Sequence, residues 1–252
     1  MPNVTSHAPG TFCWIELATD DTGGAKTFYS RLFGWSVNEI PMGEAEVYFI
    51  FQKNGADAAA MYRQGKDQEG ARPNWLSYVC VTDADAVTEK AKALGAGVLS
   101  GPFDVGEFGR MTVLMDPQGA AVAIWQPKSN IGVGIRDEAG SLCWNELQAR
   151  EPEVARTFYS ALFGWHMKIS PEYTEISAGD QAIGGILTSQ APPEAPSHWM
   201  PYFAVDDCDA SVETAQSLGA AIYVPPMDVP NVGRFAVVAD PQGAMFAVIR
   251  LN

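Results

Sequence analysis

An internal repeat constrains this chain of 252 residues more than any other feature of its sequence. Gly10 to Trp35 (GTFCWIELATDDTGGAKTFYSRLFGW) aligns with Gly140 to Trp165 (GSLCWNELQAREPEVARTFYSALFGW) without a gap, and 14 of the 26 positions are identical. A second match pairs GRMTVLMDPQG at Gly109 to Gly119 with GRFAVVADPQG at Gly233 to Gly243. Similarity at a fixed separation is typical of a duplicated structural unit. The chain is therefore expected to contain two copies of one domain.

The two matches predict where the domains begin and end. We expect a first domain over residues 10–127, a linker over 128–139 that is rich in glycine and serine, and a second domain over 140–252. Because the copies match without a gap, they should share one strand order and pack face to face or edge to edge within the chain. The protein is then expected to be a monomer or a homodimer.

Each half divides again into two units of one plan. In the first unit, CWIEL alternates as a strand does, and Phe28, Tyr29 and Phe33 then recur at helical spacing until Gly34 ends the helix. Three short apolar segments separated by turn residues follow. The second unit repeats this order, with a helix entered near Asp83 and a final Asp-Pro-Gln-Gly turn. The pattern predicts an α+β fold in which a strand, a helix and three strands occur four times.

Composition narrows the classes of function. No segment approaches the roughly 20 apolar residues that a membrane helix needs, and the N-terminus lacks a signal-peptide pattern, so we expect a cytoplasmic protein without a membrane partner. A formal net charge of −14, with no basic cluster, argues against nucleic acid as a partner. The four cysteines lack the C-x-x-C spacing of metal sites and are expected to be small buried apolar residues. They are Cys13, Cys80, Cys143 and Cys208.

The fourfold βαβββ plan, with its F-Y-x-x-x-F-G-W helix end and G-R…D-P-Q-G hairpin, resembles the vicinal oxygen chelate superfamily. This superfamily is also called the glyoxalase, bleomycin-resistance and extradiol-dioxygenase superfamily, and the tandem glyoxalase-like branch is the most similar. The resemblance covers nearly the whole chain and implies that two units close a curved sheet into a partial barrel around a cup that holds a small molecule. It leaves the function open, because the family includes lyases, isomerases, dioxygenases, thiol transferases and drug-binding proteins.

The resemblance also implies positions for a divalent metal ion, and this sequence departs from them. Family enzymes usually hold the ion with a His on the first strand, a His or Glu opening the fifth and a Glu on the eighth. These positions fall on residues without a metal-binding group, namely Trp14, Leu76, Ala123, Trp144, Met200 and Ala247. We therefore expect neither a tightly bound metal nor another cofactor.

A different set of metal ligands remains open in the second half. Glu146, Glu175 on the third strand and His198 at the start of the fifth strand would form a metal site if they converged. The first half has Ile50 where the second has Glu175, so such a site would exist only once. It would make the protein a metal-dependent lyase or dioxygenase.

Strand alternation places Trp14 and Glu16 on the cup face and Cys13, Ile15 and Leu17 toward the helix. The second half repeats this pattern at Trp144 and Glu146. By the same counting, the ligand-binding face of the two cups is expected to include a further set of mostly aromatic residues that would stack on a flat ligand. These residues are Tyr78, Trp125, His198, Met200 and Tyr202.

Glu16 and Glu146 are the candidate catalytic residues. Burial in an apolar cup would raise the pKa of a carboxyl group and suit it to proton transfer or to binding a ligand hydroxyl or N–H. The structural alternative is that each pairs with an arginine, such as Arg110 or Arg234, or satisfies buried backbone amides. Two functions follow: a metal-independent protein that binds a small apolar or aromatic metabolite, or a metal-independent enzyme that uses the glutamate as acid or base.

Overall fold

A computed structural model describes residues 3–43, 46–190 and 195–252 and contains two eight-stranded mixed sheets and four α-helices. The first half follows the predicted order, with strands β1 to β8 and helices α1 and α2. Their bounds are Phe12–Thr19 (β1), Thr22–Phe33 (α1), Ser36–Pro41 (β2), Val47–Lys53 (β3), Ala56–Arg63 (β4), Asn74–Cys80 (β5), Ala84–Ala93 (α2), Gly97–Val105 (β6), Gly109–Met115 (β7) and Ala121–Pro127 (β8).

The second half repeats the same sequence of elements. Their bounds are Leu142–Ala149 (β9), Pro152–Phe163 (α3), His166–Ile169 (β10), Tyr173–Ala178 (β11), Gln181–Thr188 (β12), His198–Ala204 (β13), Cys208–Ser217 (α4), Ala221–Val229 (β14), Gly233–Ala239 (β15) and Met245–Leu251 (β16). The α+β plan of four repeated units is confirmed.

Both sheets have the same strand order, as the repeat predicts. The order is β2-β3-β4-β1-β5-β8-β7-β6 in the first half and β10-β11-β12-β9-β13-β16-β15-β14 in the second. The first strands of the two units, β1 and β5, lie side by side and antiparallel at the centre of the sheet, and each pairs in parallel with the last strand of its own unit. Each sheet thus remains an open, partial barrel.

Local sequence sets the ends of the helices. The Asp21 side chain accepts a hydrogen bond from the Gly24 amide at 3.0 Å and begins α1, and Asp83 does the same for α2 through the Ala86 amide. Gly34 ends α1 in the left-handed region, with φ of 70°, where a residue without a β-carbon is favoured. The helices therefore begin and end close to the predicted positions.

The helix-bearing faces of the two sheets pack against each other. One buried cluster joins α1 residues such as Phe28 and Phe33 with Phe203 and Phe246 of the second half. A second cluster joins the α2 side of the first half with α3 of the second half. The helix aromatics are buried, and they pack against the other half as well as their own. The two halves therefore share their largest apolar clusters.

Reciprocal hydrogen bonds connect the repeated motifs across this interface. The Tyr29 hydroxyl of α1 donates to Asp240 of the second Asp-Pro-Gln-Gly turn at 2.8 Å, and the Tyr159 hydroxyl of α3 donates to Asp116 of the first turn at 3.0 Å. Trp35 and Trp165, at the helix ends, each donate an indole N–H to a glycine carbonyl of the opposite half, both at 2.7 Å. The most similar segments of the repeat therefore build the contact between the domains.

The opposite face of each sheet, against which no described helix packs, corresponds to the predicted cup. The first cup is lined by a buried cluster that includes Trp14, Tyr78 and Trp125, and the second by a cluster that includes Met200 and Tyr202. All four cysteines are buried, as expected. Within the described ranges, every helix is too short or too polar to span a membrane.

Candidate functional site

The aromatic side chains that alternation assigned to the first cup belong to one buried cluster, whereas Cys13 departs from its assignment to the helix face. Trp14, Tyr78 and Trp125 share the first cup, while Ile15 and Leu17 face α1. Cys13 was expected to face the helix, and this was wrong, because the thiol belongs to the cup cluster together with Trp14. The register between β1 and β5 shifts between residues 12 and 14, so the alternation of sides is interrupted at this point.

Glu16 lies at the centre of the first cup, 9% exposed, and both of its carboxylate oxygens accept a hydrogen bond from a tyrosine. The Tyr48 hydroxyl donates to Oε1 and the Tyr78 hydroxyl to Oε2, each at 2.6 Å. The Trp14 indole N–H in turn donates to the Tyr48 hydroxyl at 3.3 Å. The polar centre of the cup is therefore a connected group of one carboxylate, two phenols and one indole.

The second cup contains the corresponding group with a different pattern of hydrogen bonds. Glu146 is 7% exposed, and its Oε1 accepts from the Tyr202 hydroxyl at 2.8 Å and from Gln148 Nε2 at 2.6 Å. The Trp144 indole donates to the Tyr173 hydroxyl at 2.9 Å. Each cup thus holds the same four residue types, and these four are called here the Trp–Glu–Tyr–Tyr group.

Burial determines the acidity of this group. Desolvation raises the pKa of Glu16 and of Glu146 above the ordinary 4.5, although the hydrogen bonds from their tyrosine partners act in the opposite direction. Desolvation and the adjacent carboxylate together raise the pKa of Tyr78 and Tyr202. Such a carboxylate is able to accept a hydrogen bond or a proton, and the phenols remain hydrogen-bond donors.

The arginines proposed as structural partners of these glutamates lie elsewhere. Arg110 forms ion pairs with Asp85 and Asp104, and Arg234 does so with Asp209 and Asp228, in both cases among exposed carboxylates. The partners that sequence reasoning missed are Tyr48 and Tyr173. Tyr48 is the second residue of β3 and Tyr173 the first of β11, and the repeat aligns them at an offset of 125. Their contact with the glutamate depends on pairing between distant strands.

The alternative metal ligands of the second half, Glu146, Glu175 and His198, do not converge in the structure. Glu175 lies within 3.4 Å of Lys168, and His198 Nδ1 lies 3.4 Å from the Pro196 carbonyl oxygen. Glu146 is bound instead by tyrosine and glutamine, as described above. Among the described residues, no three His, Cys, Asp or Glu side chains form a group that could hold a metal ion. Met200 is buried in the second cup, and His198 lies half-buried at the start of β13.

The register of the strands refines the positions that the family resemblance implies for a metal. Trp14 pairs with Tyr78, and Tyr78 pairs with Ala123, so these three residues form one row across the sheet. Leu76, which had been assigned to this row, pairs with Glu16 instead. Indole, phenol and methyl groups are not a donor set for a divalent ion. The second half repeats the row with Trp144, Tyr202 and Ala247.

The linker between the halves packs against the first cup. The Val133 amide donates to the Cys13 carbonyl at 2.8 Å, the Trp125 indole donates to the Asn130 carbonyl at 2.9 Å, and Val133 belongs to the cup cluster. His7 lies against the linker, with Nε2 at 3.0 Å from the Val133 carbonyl oxygen. Despite its glycine and serine content, the linker is an ordered part of the first cup wall.

The raised pKa of Glu16 predicts a pH-dependent effect of the Glu16→Gln substitution. When the pKa of an acid is higher in the folded state than in the unfolded state, the native state binds the proton more tightly. The free energy of unfolding therefore falls as the pH rises from the unfolded-state pKa to the folded-state pKa. Glutamine does not titrate. The loss of stability caused by Glu16→Gln should therefore be larger at pH 4 than at pH 8, measured as unfolding free energies by urea denaturation. A loss that grows toward pH 8 would contradict the raised pKa.

Comparisons with known proteins agree with the fold and the repeat. Residues 11–124 and 142–248 both match the model of the Glyoxalase/Bleomycin resistance protein/Dioxygenase superfamily. The chain is 40% identical over 257 residues to CFP32 of Mycobacterium tuberculosis, whose name proposes a glyoxylase, covering 99% of this chain and 98% of that protein. It is 34% identical over 276 residues to the anthracycline biosynthesis protein DnrV of Streptomyces peucetius, covering 99% and 96%.

Solved structures extend the similarity at the level of the fold. The Mn(II)-bound glyoxalase from Novosphingobium aromaticivorans aligns with a TM-score of 0.66 at 16% identity, covering 96% of this chain and 82% of that one. The 2,3-dioxygenase LapB from Pseudomonas sp. KL28 aligns with a TM-score of 0.68 at 12% identity, covering 97% and 93%. With both halves matched by one family model, the chain is a tandem two-domain member of the Glyoxalase/Bleomycin resistance protein/Dioxygenase superfamily.

Proposed function

We propose that this protein binds a small, flat organic molecule in a cup, with a ligand hydroxyl or N–H group directed at the buried glutamate. The observation that carries the proposal is the Trp–Glu–Tyr–Tyr group, a nearly dry carboxylate bordered by aromatic rings in an otherwise apolar cup. Apolar walls with a few convergent polar groups are the usual composition of small-molecule sites. A carboxylate in such surroundings selects a ligand that donates a hydrogen bond.

The relatives support this class of ligand. DnrV is named for anthracycline biosynthesis, and anthracyclines are flat, polycyclic and hydroxylated. Aromatic side chains such as Trp144 and Tyr202 provide stacking surfaces for a molecule of this shape. The acidic net charge of the chain disfavours nucleic acid and anionic membranes as partners. The proposed partner is therefore a small molecule, and the proposed site of action is the cytoplasm.

A metal is not part of this proposal, because the residues at the family's metal positions do not fit one. The row Trp14, Tyr78 and Ala123 and its counterpart in the second half offer no imidazole or carboxylate. The buried carboxylates are instead saturated or partly saturated by phenol and amide donors. No step of the proposed function therefore depends on a metal ion.

Chelation should leave the stability of the protein unchanged. A ligand that binds only the folded state stabilises it by RT ln(1 + [L]/Kd), so removing a tightly bound metal would lower the melting temperature by several degrees. We expect the melting curves with and without EDTA to coincide. A drop after EDTA that one added divalent metal restores would show that a metal site exists after all.

The raised pKa of the cup glutamates favours one second candidate, a metal-independent enzyme. In such an enzyme the carboxylate would accept a proton from carbon beside a ligand carbonyl and return it to the same or a neighbouring carbon. Deuterium uptake from heavy water into a bound hydroxyketone, followed by NMR, distinguishes this enzyme from a binding protein. Uptake that Glu146→Gln or Glu16→Gln abolishes supports catalysis, and uptake at the rate of the free compound supports binding alone.

The proposed binding itself is tested with danthron, an anthraquinone that carries hydroxyls beside a carbonyl. Quenching of tryptophan fluorescence should saturate with danthron, since tryptophans line both cups. Cyclohexanol, which has a hydroxyl but no flat ring, should bind far more weakly. If danthron fails to bind or binds no better than cyclohexanol, the proposed ligand class is wrong.

A further inference from the structure

Two of the four cysteines lie next to each other at the first cup. Cys13 of β1 and Cys80 of β5 belong to the same buried cluster, and their thiols share a hydrogen bond. Cys13 Sγ also lies 3.6 Å from the Tyr78 carbonyl oxygen on the same neighbouring strand. The two sulfur atoms are therefore in contact across the central strand pair of the sheet.

The bulge in β1 brings these thiols together. The register of β1 against β5 shifts between residues 12 and 14, so Cys13 is the extra residue of the bulged strand. Regular alternation would direct Cys13 to the helix face, whereas Cys80 follows Tyr78 by two residues and shares its cup face. With Cys13 turned to this face, a small movement brings the sulfurs to the separation of roughly 2 Å found in a disulfide.

The second half has the same bulge and only one of the two cysteines. The register of β9 against β13 shifts between residues 202 and 203, and Cys143 Sγ lies 3.3 Å from the Tyr202 carbonyl oxygen. The residue that matches Cys80 at the offset of 124 is Ala204. The repeated fold therefore accepts alanine at this position, and the pair of thiols is specific to the first half.

The members of the pair also differ in acidity from the other two cysteines. The hydrogen bond from Cys13 lowers the pKa of Cys80 below the ordinary 9.0, although burial acts in the opposite direction. Burial raises the pKa of Cys13, and it raises the pKa of Cys143 to about 12 and that of Cys208 to about 11. Because the thiolate is the reactive form of cysteine, Cys80 is the best nucleophile of the four.

Segments without helix or strand cover the two thiols, which belong to residues that are 0% and 2% exposed. Cys80 Sγ lies 3.5 Å from the His7 carbonyl oxygen of the N-terminal segment, and the Cys13 carbonyl accepts from the Val133 amide of the linker at 2.8 Å. Such segments open at a lower cost in free energy than the central strands of a sheet. Hydrogen peroxide is little larger than water, so a local opening is sufficient to admit it.

We propose that Cys13 and Cys80 are a redox-active dithiol that hydrogen peroxide oxidises to an intrachain disulfide. The Cys80 thiolate attacks one peroxide oxygen and the O–O bond breaks, which leaves a sulfenic acid on Cys80 and a hydroxide that takes up the thiol proton. The Cys13 sulfur then attacks the Cys80 sulfur, the S–O bond breaks, and water leaves with the Cys13 proton. The dithiol loses two electrons, and the peroxide is reduced to two water molecules.

The experiment treats the folded full chain with hydrogen peroxide and follows free thiols and cross-linked peptides by mass spectrometry. We expect the four thiols to fall to two, with one disulfide that joins Cys13 to Cys80 and that dithiothreitol reverses. These two thiols should disappear about tenfold or more faster than those of Cys143 and Cys208. Circular dichroism verifies that the chain stays folded during the reaction.

Cys80→Ala copies the arrangement of the second half and should form no disulfide, whereas Cys143→Ala should react as the parent does. Ala204→Cys places a second thiol beside Cys143 and should give a second disulfide. Cys143→Ala and Ala204→Cys carry the test if Cys80→Ala does not fold.

Three results would overturn the proposal. They are a folded parent that keeps all four thiols, equal oxidation of the four, and oxidation of Cys80 to the sulfinic acid with Cys13 left as a thiol. A disulfide that links two chains instead of Cys13 and Cys80 of one chain would overturn it as well.

Discussion

Replacing Asp240 by alanine is expected to lower the free energy of unfolding by about 3–5 kcal/mol. The carboxylate is buried and accepts three hydrogen bonds, from the Gln242 and Ala244 amides and from the Tyr29 hydroxyl of the other half. Alanine leaves these three donors without an acceptor, and each unsatisfied buried donor costs about 1–3 kcal/mol. Urea denaturation of the parent and the variant measures the difference directly.

Asp228→Ala provides the control within the same half. Its side chain is 78% exposed and forms an exposed ion pair with Arg234, so the loss should be below about 1 kcal/mol. A double-mutant cycle with Tyr29→Phe should show coupling to Asp240→Ala, since the two side chains share one buried hydrogen bond. If Asp240→Ala costs no more than Asp228→Ala, the Asp-Pro-Gln-Gly turn does not connect the two halves in the way described above.

Gly132→Ala should also destabilise the chain, by about 3 kcal/mol or more. A β-carbon at this position would lie 2.0 Å from the Cys13 carbonyl oxygen, and φ of 111° is unfavourable for any residue with a side chain. The linker would have to move away from the first cup to relieve the overlap. The variant therefore tests whether the linker is an ordered wall of this cup.

Gly164→Ala separates steric overlap from backbone strain. Gly164 has φ of 72°, and its β-carbon would meet no atom within 4 Å, so only the cost of a left-handed residue, about 1 kcal/mol, is expected. Thermal melts of both variants supply the comparison. Equal losses would mean that the linker does not rest on Cys13, and a loose linker would then be the better description.

Much of the fold could be predicted from the sequence because its signals are local or repeated. The ungapped match of the two halves implied one strand order for both, and Gly34 and Asp83 marked helix ends through their own backbone and side-chain chemistry. Strict alternation also placed Trp14 and Tyr78 on the cup face, because side chains of a strand change sides at every residue. Such rules need no knowledge of distant partners.

The rest depends on contacts between distant parts of the chain. The bulge that turns Cys13 into the cup is a property of the pairing between β1 and β5, and alternation cannot show it. Tyr48 and Tyr173 contact the glutamates across β4 and β12, so their role required the register of three strands. The helical spacing of Tyr29 was predicted, but its partner Asp240 lies 211 residues away.

Glu146, Glu175 and His198 do not form the metal site considered from the sequence, and the reason is related. Glu175 occupies a register position beside Gly185, and its ion pair runs to Lys168 on the neighbouring strand. His198 lies beside Gln148 at the entrance to β13 rather than at the level of Glu146. Three suitable residue types on adjacent strands therefore did not amount to a metal site, because their side chains are directed to other partners.

The most direct test of the central claim is fluorine NMR of the protein labelled with fluorotryptophan. The chain has seven tryptophans, and Trp14 and Trp125 report on the first cup, Trp144 on the second and the other four on the interface between the domains. Single Trp→Phe variants assign the resonances. We predict that danthron shifts the resonance of at least one cup tryptophan and leaves those of the four interface tryptophans in place. A shift confined to the interface tryptophans, with Trp14, Trp125 and Trp144 unmoved, would contradict ligand binding in a cup.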